Sequence, residues 1–403
     1  MNRLKNFFIF VHLIAFFCIH ATEEMPTCPE VFAALPTVCA VDREYQIMIP
    51  VRAETLMWAK VGDEYFYDES NGIMRSATQV HRITVPAELL DREKRYTIHW
   101  RKIIQRKPYF TQTENEECAS FAFRPVAPDA SELYIYQLAD THSFIAEPIR
   151  AARYWQQQGK PLDLLVMNGD MPNDCGTLEN IAAPYQVSGA VTRGEIPVIY
   201  ARGNHDLRGV LAEKYAELTP SSQGRTYYTW RVGPIWGVSL DCGEDKMDDH
   251  REYGHTVCCH AFRQRETRFL RELARKSDEE FAASGVKLKI VLCHVPFAEK
   301  SLPPFDIEED TYREWCRILR ESVKPDLMLS GHKHRCYVTL PGEKKDHKGL
   351  PCPSVVGCKP ERSKDPAARH YVGTALHWRE KSGFEVFFTD DAGRVRGSAI
   401  IQK

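Results

Sequence analysis

Five short polar segments of this chain together contain the types of side chain that bind a pair of divalent cations. Carboxylate oxygen, amide oxygen and imidazole nitrogen are all ligands of such cations, and the segments supply all three. Each segment follows a run of apolar residues that predicts a buried strand. Because a buried strand needs no polar residue at its end, the repetition favours a functional site. The segments are Asp140-Thr141-His142, Gly169-Asp170, Gly203-Asn204-His205-Asp206, His294 and Gly331-His332-Lys333-His334.

The segments differ in how specific each one is when it is considered alone. The pair Gly169-Asp170 is of a kind common in turns, and an isolated His294 is more often a hydrogen-bonded core residue than a ligand. The segments at 203–206 and 331–334 are more specific, because asparagine is an uncommon ligand and imidazoles two residues apart can reach neighbouring cations. The glycines that open three of the segments let the backbone turn sharply. All five segments in order predict one metal site.

The elements that must position these segments alternate between apolar strands and amphipathic helices. This alternation runs from about residue 131 to the end of the chain and predicts an α/β layered domain. In open α/β sheets, ligands bind beyond the carboxyl ends of the strands, which is where the segments fall. The strands predicted directly before the segments are 134–138, 164–167, 197–201, 288–293 and 326–329.

The first part of the chain has a different pattern. Residues from about 27 to 123 contain short, partly alternating apolar runs, separated by turn-prone stretches such as Gly62-Asp63. This spacing predicts a small all-β sandwich domain at 23–125. A stretch with two prolines predicts a linker to the α/β domain, which we place at 131–403. The sandwich contains no cluster of ligand-type residues, so we expect it to pack against or position the other domain.

The N-terminus predicts an exported protein. Arg3 and Lys5 precede an almost unbroken apolar run at 7–19, a pattern typical of a secretory signal peptide, here placed at 1–22. The run is shorter than the roughly 20 residues that span a bilayer. We therefore expect a periplasmic or extracellular protein with no transmembrane segment after signal removal. Lipid attachment at Cys18 is a minor alternative, because its surroundings are a poor version of the small-residue site that lipoproteins use.

The composition is that of an ordinary soluble globular protein. Apolar residues make up 43% of the chain and charged residues 27%, and the formal net charge is -2. This balance disfavours nucleic acid as a partner. Cysteine is abundant, and in an exported protein Cys352 and Cys358 could close a small disulfide ring. The cysteines near the site segments are predicted to be buried structural residues rather than ligands.

With these motifs the chain resembles the calcineurin-like metallophosphoesterase superfamily over roughly residues 131–403. The resemblance implies a four-layer α/β/β/α sandwich, with two central sheets flanked by helices. It implies a bridging role for Asp170, a non-ligand position near the substrate for His205, and Asp206 as the partner that orients His205. The implied ligands of one cation are Asp140, His142, Asp170 and His334, and those of the other are Asp170, Asn204, His294 and His332.

An N-terminal sandwich of the fibronectin III type before such a domain is similar to the layout of purple acid phosphatases. Their pattern has a tyrosine ligand three residues after the bridging aspartate, where this chain has Asn173, and this chain has His142 in the first motif instead. We therefore expect no tyrosinate–iron site. The implied cofactor is a pair of divalent ions, for which Mn, Fe, Zn and Co are equally suitable.

Two arginines flank the Gly-Asn-His-Asp segment. A guanidinium group matches the geometry of phosphate oxygens, so Arg202 and Arg208 are candidates for binding a substrate anion. An ion pair with Asp206 or Asp241 is an equally good interpretation. Asp241, Glu244 and Asp245 lie in an acidic loop after a predicted strand and are weaker candidates for shaping the substrate pocket, with a solvated loop as the alternative.

The sequence therefore predicts an exported, dinuclear hydrolase of small phosphorylated substrates. In this interpretation a hydroxide that bridges the two cations attacks phosphorus, and His205 acts as the general acid that protonates the leaving group. The motifs are compatible with phosphomonoesters and with phosphodiesters as substrates. They are also compatible with more than one oligomeric state. The alternative function is that of a non-catalytic exported protein that binds phosphorylated ligands through its metal site.

Overall fold

The structure is a computed structural model that describes residues 25–365 and 368–403. The signal peptide predicted at 1–22, with Cys18, lies outside these residues. Within the described ranges, no helix combines the length and the apolar character that crossing a membrane requires.

Short strands account for much of the N-terminal region, as the alternating apolar runs predict. In the strand Thr55–Val61 every second residue is buried, so one face packs against a core and the other is more exposed. Numbered along the chain, these strands are β1 Thr37–Val41, β2 Glu44–Pro50, β3 Thr55–Val61, β4 Glu64–Tyr67, β5 Glu69–Ser70, β6 Ile73–Met74, β7 Val80–Pro86, β8 Arg95–Gln105, β9 Gln112–Thr113 and β10 Glu117–Ala122.

The strands of the second region are apolar along their whole length where they are covered on both faces. Leu164–Asn168 and Pro197–Ala201, for example, are buried at every residue. The strands are β11 Glu132–Leu138, β12 Leu164–Asn168, β13 Pro197–Ala201, β14 Tyr228–Val232, β15 Ile235–Leu240, β16 Leu288–Cys293, β17 Leu327–Ser330, β18 Tyr337–Thr339, β19 Ser354–Val356, β20 Lys359–Glu361, β21 His370–Arg379, β22 Gly383–Asp390 and β23 Val395–Ile401.

Helices connect most of the parallel strands. The helix that begins at Leu178 has Thr177 as its N-cap, whose side chain accepts a hydrogen bond from the backbone N–H of Asn180. The helices are α1 Ala87–Glu93, α2 Ala146–Ala152, α3 Tyr154–Gln157, α4 Leu178–Thr192, α5 Tyr215–Leu218, α6 Cys259–Arg275 and α7 Glu309–Ile318, with single 3₁₀ or π turns at His205–Leu207, Val210–Lys214, Arg251–Tyr253, Ser277–Glu279 and Leu319–Val323.

Two sheets face each other in the centre of the molecule. The larger has the strand order β23-β22-β21-β11-β12-β13-β1-β2-β7, with β20 paired to β21, and the smaller has the order β14-β15-β16-β17-β19-β18. Val166 and Ile199 from the larger sheet share one apolar core with Ile290 and Leu329 from the smaller sheet. The two sheets are therefore packed face to face.

Helices cover the outer face of each central sheet. On the larger sheet, Leu165 of β12 packs in a cluster with Ile149 of α2 and Ile181 of α4. On the smaller sheet, Val291 of β16 packs in a cluster with Leu270 of α6 and with α7. Neighbouring residues of one strand thus face different layers, as the two-residue period of a strand requires. The predicted four-layer α/β/β/α arrangement is confirmed.

The N-terminal region is strand-rich and consistent with the predicted sandwich. Strands β10, β8, β3 and β4 form an antiparallel sheet, with β9 paired to β8. Residues of this sheet, including Met57 and Ile98, share a core with Ile47 and Ile83 of β2 and β7. However, β1 also pairs in parallel with β13, so three N-terminal strands extend the larger central sheet. The boundaries 23–125 and 131–403 stay a prediction, although the two regions share one sheet.

Candidate metal centre

The five site segments meet because the strands before them end at the same edge of the two packed sheets. Asp140, Asp170 and Asn204 follow β11, β12 and β13, which are neighbours in the larger sheet. His294 and His332 follow β16 and β17, which are neighbours in the smaller sheet. All of these strand pairs are parallel, so their carboxyl ends coincide. The topology alone therefore brings the segments together.

The site residues have an unusual backbone conformation. Asp140, His142, Asp170, His332 and His334 all lie in the left-handed region, with φ between 45° and 66°. Residues with side chains seldom adopt this region, and such positions concentrate at functional sites. Backbone hydrogen bonds hold the loops in place: the N–H of Asp140 donates to the carbonyl of Gly169, and that of His142 to the carbonyl of Asp170, both over 3.0 Å.

Two glycines let the loops approach each other closely. A Cβ atom at Gly203 would lie 2.2 Å from the backbone nitrogen of Asp170, and one at Gly331 would lie 2.6 Å from Oδ2 of Asp140. Any side chain at either position would push a site carboxylate out of place. The glycines of these segments are thus explained by close packing in addition to turning.

One group of ligand-type atoms contains Asp140, His142 and His334. His334 Nε2 lies 3.3 Å from Asp140 Oδ1 and 3.0 Å from His142 Nε2. Asp140 is fully buried, and both of its carboxylate oxygens accept the backbone N–H of His332 at 2.9–3.0 Å. Its carboxylate thus lies beside the imidazoles and retains further capacity to accept, as a metal ligand requires.

A second group contains Asp170, His294 and His332. His294 Nε2 lies 3.1 Å from Asp170 Oδ2, and 3.7 Å from Asp140 Oδ1. Asn204 Oδ1 lies 3.0 Å from His332 Nδ1, which places the asparagine oxygen beside this group. All the predicted ligand side chains therefore lie around one centre. A third group of ligand-type atoms, formed by His142, Asp170 and His205, lies between the other two.

The donor atoms fit divalent cations. His294 Nδ1 donates to the carbonyl of Asn168 over 2.7 Å, which fixes the tautomer and leaves Nε2 as the ligand atom. That Nε2 is buried and has no hydrogen-bond partner among the described residues. Burial lowers the pKa of both His142 and His332 to about 3, so both imidazoles are neutral, as a metal ligand must be.

The pKa values of Asp170 and His294 are shifted by the charges around them. Burial disfavours the charged form of Asp170, but the adjacent His294 outweighs this effect and the pKa of Asp170 lies well below its ordinary value. Burial likewise lowers the pKa of His294, yet the carboxylates of Asp170 and Asp140 raise it to about 10. A divalent cation at this position would replace the proton on Nε2, leave the imidazole neutral as a ligand and balance the same two carboxylates.

His205 lies at the rim of this centre. Its ring is 4.7 Å from that of His142, between centroids, and it is partly exposed. Nδ1 lies 2.9 Å from the backbone carbonyl of Asn173, and Nε2 lies 3.2 Å from Nη1 of Arg208. The carbonyl of Asn173, which no sequence pattern could have indicated, therefore orients the ring.

Asp206 has a different position from the one expected. The resemblance implied that it orients His205, but its Oδ2 accepts the backbone N–H groups of Gly203 and Asp170 instead. It is fully buried, and burial and the charge of Asp170 raise its pKa to about 7. The contacts of Asp206 thus hold the loops that carry the ligands, and His205 depends on other partners.

Of the two flanking arginines, only Arg208 lies at the site. Its Nε and Nη2 form a two-point ion pair with the buried carboxylate of Glu244, at 2.8 and 3.0 Å, which leaves Nη1 beside His205. The next residue, Asp245, has Oδ2 3.6 Å from His332 Nε2. Both acidic residues belong to the loop that follows β15, where the sequence indicates Glu244 and Asp245, together with Asp241, as candidates for shaping the pocket.

Arg202 and Asp241 form a buried ion pair away from the ligand atoms. Arg202 Nε donates to Asp241 Oδ2 over 2.6 Å, and the side chains are 12% and 1% exposed. The guanidinium also packs over the ring of Phe262. The ion-pair interpretation of Arg202 is the one that the contacts favour, and neither residue is placed to bind a substrate.

Removing one partner of this pair is expected to destabilise the fold. Asp241→Ala would leave the Arg202 guanidinium buried without its partner, and breaking a buried pair in this way costs about 3–5 kcal/mol. Urea unfolding measures the change in the free energy of unfolding, with Asp278→Ala, at an exposed aspartate, as the control. A loss below about 1 kcal/mol, the range of exposed pairs, would contradict the assignment.

The cysteines are unpaired in the described part of the chain. Cys352 and Cys358, which could have closed a ring, are both buried free thiols, so that suggestion is not supported. Burial raises the pKa of Cys175 and Cys293 well above the ordinary value, as expected for structural rather than ligand cysteines.

The comparisons with known proteins agree with this geometry. Residues 133–336 match the calcineurin-like phosphoesterase family. No curated protein matches significantly. Among solved structures, purple acid phosphatase PPD1 from yellow lupin (Lupinus luteus) seeds is similar with a TM-score of 0.56 and 14% identity, over 92% of this chain and 75% of that chain.

A second solved structure, GAP50, the anchor in the inner membrane complex of Plasmodium, has a TM-score of 0.45 and 12% identity over 68% of this chain and 89% of that chain. At these identities the likenesses concern the fold alone. The family match covers more than half of the chain, including every site segment. This chain belongs to the calcineurin-like phosphoesterase family.

Proposed function

We propose that this protein is an exported hydrolase of phosphoric esters that uses two divalent cations bound on either side of Asp170. The observation that carries the proposal is the position of Asp170 between two groups of ligand-type side chains, one with His142 and His205 and the other with His294 and His332. A carboxylate in this position can bridge two cations. Export is supported by the N-terminal sequence pattern.

The residues divide between the two cations in this proposal. His205 is left out of both sets, because each of its ring nitrogens already faces another group. When bound, the cations would activate a water molecule and neutralise the non-bridging oxygens of the phosphate. One set is Asp140, His142, Asp170 and His334, and the other is Asp170, Asn204, His294 and His332.

Arg208 and His205 would contact the substrate. Glu244 holds Nε and Nη2 of Arg208, so Nη1 is the nitrogen left to donate to a phosphate oxygen placed beside it. If Nη1 donates to the phosphate, His205 Nε2 no longer has to accept from Arg208. With Nδ1–H donated to the Asn173 carbonyl, an imidazole that takes up a second proton on Nε2 from water could pass that proton to the leaving oxygen. His205 is therefore the general acid of the proposal.

The proposal predicts phosphoester hydrolysis that depends on added metal. Purified protein, stripped with a chelator and reloaded with Mn²⁺, is expected to hydrolyse p-nitrophenyl phosphate or bis(p-nitrophenyl) phosphate. The stripped protein is expected to be inactive, because water activation is lost. Release of p-nitrophenolate gives the rate, and metal analysis gives the number of ions per chain.

The outcomes separate the proposal from the alternative. A preference between the two esters would show whether the enzyme is a monoesterase or a diesterase. A protein that binds two ions per chain and hydrolyses neither ester would favour a non-catalytic protein that binds phosphorylated ligands. A protein that binds no metal would contradict both functions.

A further inference from the structure

A basic cleft adjoins the metal centre. It has a volume of about 610 Å³, and its lining includes Lys300, Lys333, Arg335, Lys344 and Lys345. The one acidic side chain in the lining is Glu299. That carboxylate is already bonded, since Oε2 accepts the hydroxyl of Tyr337 over 2.7 Å and Oε1 accepts that of Thr339 over 3.1 Å. The cleft thus has a large excess of positive charge.

Among the described residues, the lysine and arginine side chains that line this cleft have no ion-pair partner. Across residues 25–365 and 368–403, no carboxylate forms an ion pair with any of the five, whereas most other arginines near the site are paired. Like charges gathered in a concave surface repel each other, and this repulsion is relieved when an anion binds between them. A solvated lysine surface would instead be convex and interspersed with acids. The cleft is therefore suited to an anionic ligand.

The cleft is connected to the metal centre through Lys333, which is one of its lining residues. Lys333 lies between His332 and His334 in the sequence, and consecutive Cα atoms are only about 3.8 Å apart. Lys333 also lines a second, smaller pocket that includes His332 and Asp245. Lys333 therefore lines both the basic cleft and the smaller pocket beside His332. A molecule whose one phosphate is at the metal centre could extend directly into the cleft.

We propose that the cleft binds a second phosphate of the substrate, so that the preferred substrates are small, multiply phosphorylated molecules. This inference rests on the proposed function. It favours a small molecule over a nucleic acid, because the chain as a whole carries a formal net charge of -2 and lacks the basic excess of a nucleic-acid binder. The cleft supplies charge and hydrogen-bond donors, which phosphate groups match.

A matched pair of substrates tests the inference. The metal-loaded protein is assayed for phosphate release from 1,3-propanediol monophosphate and from 1,3-propanediol bisphosphate. The ratio of the two kcat/KM values is expected to favour the bisphosphate by roughly tenfold or more, the effect of one charge-assisted hydrogen bond. In the variant Arg335→Gln/Lys345→Gln this ratio is expected to fall by roughly tenfold. Both residues are exposed, so the fold should not depend on them.

The control variant removes the same charges elsewhere. Arg275→Gln/Lys276→Gln changes one arginine and one lysine at the exposed C-terminal end of α6 and should leave the ratio unchanged. Equal kcat/KM values for the two esters in the wild type, or an unchanged preference in the Arg335→Gln/Lys345→Gln variant, would overturn the inference and leave the proposed function intact.

A binding measurement keeps the two proposals distinguishable. If the metal-loaded wild type hydrolyses neither p-nitrophenyl phosphate nor bis(p-nitrophenyl) phosphate, the proposed function fails. Calorimetric titration with inorganic pyrophosphate then decides the cleft alone, as it does if the propanediol esters are not hydrolysed. Binding that is at least tenfold weaker in Arg335→Gln/Lys345→Gln than in the wild type supports an anion site. Equal binding by both proteins, or none, overturns it.

Discussion

Replacement of Asp170 by asparagine is expected to abolish hydrolysis and to lower the metal content of the protein. Asp170 is 2% exposed, and its Oδ2 lies 3.1 Å from His294 Nε2. Its other oxygen, Oδ1, accepts the backbone N–H of His205 over 2.8 Å. An amide is neutral and offers a single oxygen, so it cannot bridge two cations. Removal of one group that stabilises the transition state electrostatically lowers kcat by about 10²–10³-fold. Asp170→Asn would affect both cations, so it should lower kcat by more than this.

Metal content and hydrolysis rate, measured on the same preparation, test this prediction. Asp278→Asn is the matched control, because it makes the same chemical change at an exposed position far from the site segments in sequence. Thermal unfolding of both variants shows whether Asp170→Asn remains folded. A folded Asp170→Asn protein that retains both ions and near wild-type activity would show that Asp170 does not bridge.

The ligand positions could be predicted from sequence because they depend on strand ends. Each apolar run such as Leu164–Asn168 identifies a buried strand, and the polar residue directly after it has little freedom in where it lies. Once the strands are parallel neighbours, Asp140, Asp170 and Asn204 must lie along one edge. Local sequence thus indicates the strands and the residues at their ends, and the parallel order of the strands brings those residues together.

Contacts that depend on side-chain direction could not be predicted. Asp206 is adjacent to His205 in sequence, but the 3₁₀ turn His205–Leu207 directs its carboxylate back to the loop N–H groups. Arg202 and Arg208 were equal candidates, and buried carboxylates in the loop that follows β15 decide between them. The partner of each arginine is more than 30 residues away, so no local pattern identifies it.

The N-terminal strands show the same limit on a larger scale. The pattern of Glu44–Pro50 predicts a strand, and that strand exists. Its burial on both faces, however, follows from the pairing of β1 with β13, which joins residues about 160 positions apart. Local alternation of apolar and polar residues indicates which residues form strands. It does not show which sheet an edge strand extends, because many pairings satisfy the same backbone hydrogen bonds.

Replacement of His205 by alanine is expected to leave both cations bound and to reduce the rate. His205 lies at the rim, with Nδ1 beside the Asn173 carbonyl and Nε2 beside Arg208. A general acid contributes roughly 10²–10⁴-fold when the leaving group is a poor one, such as an alkoxide. An aryl leaving group such as p-nitrophenolate needs little protonation. The loss of rate should therefore be much larger for an alkyl phosphate than for p-nitrophenyl phosphate.

The ratio of the two losses is the quantity that identifies the role of His205. A residue that merely supported the fold would slow both substrates equally, whereas a general acid gives a larger loss for the alkyl ester. His260→Ala is the control, since His260 is an exposed histidine outside the site segments whose ring pairs with the Glu308 carboxylate. Metal content measured on the same samples completes the test. If His205→Ala loses one of the two ions, His205 is a ligand, and the division of residues between metal binding and acid catalysis proposed above is wrong.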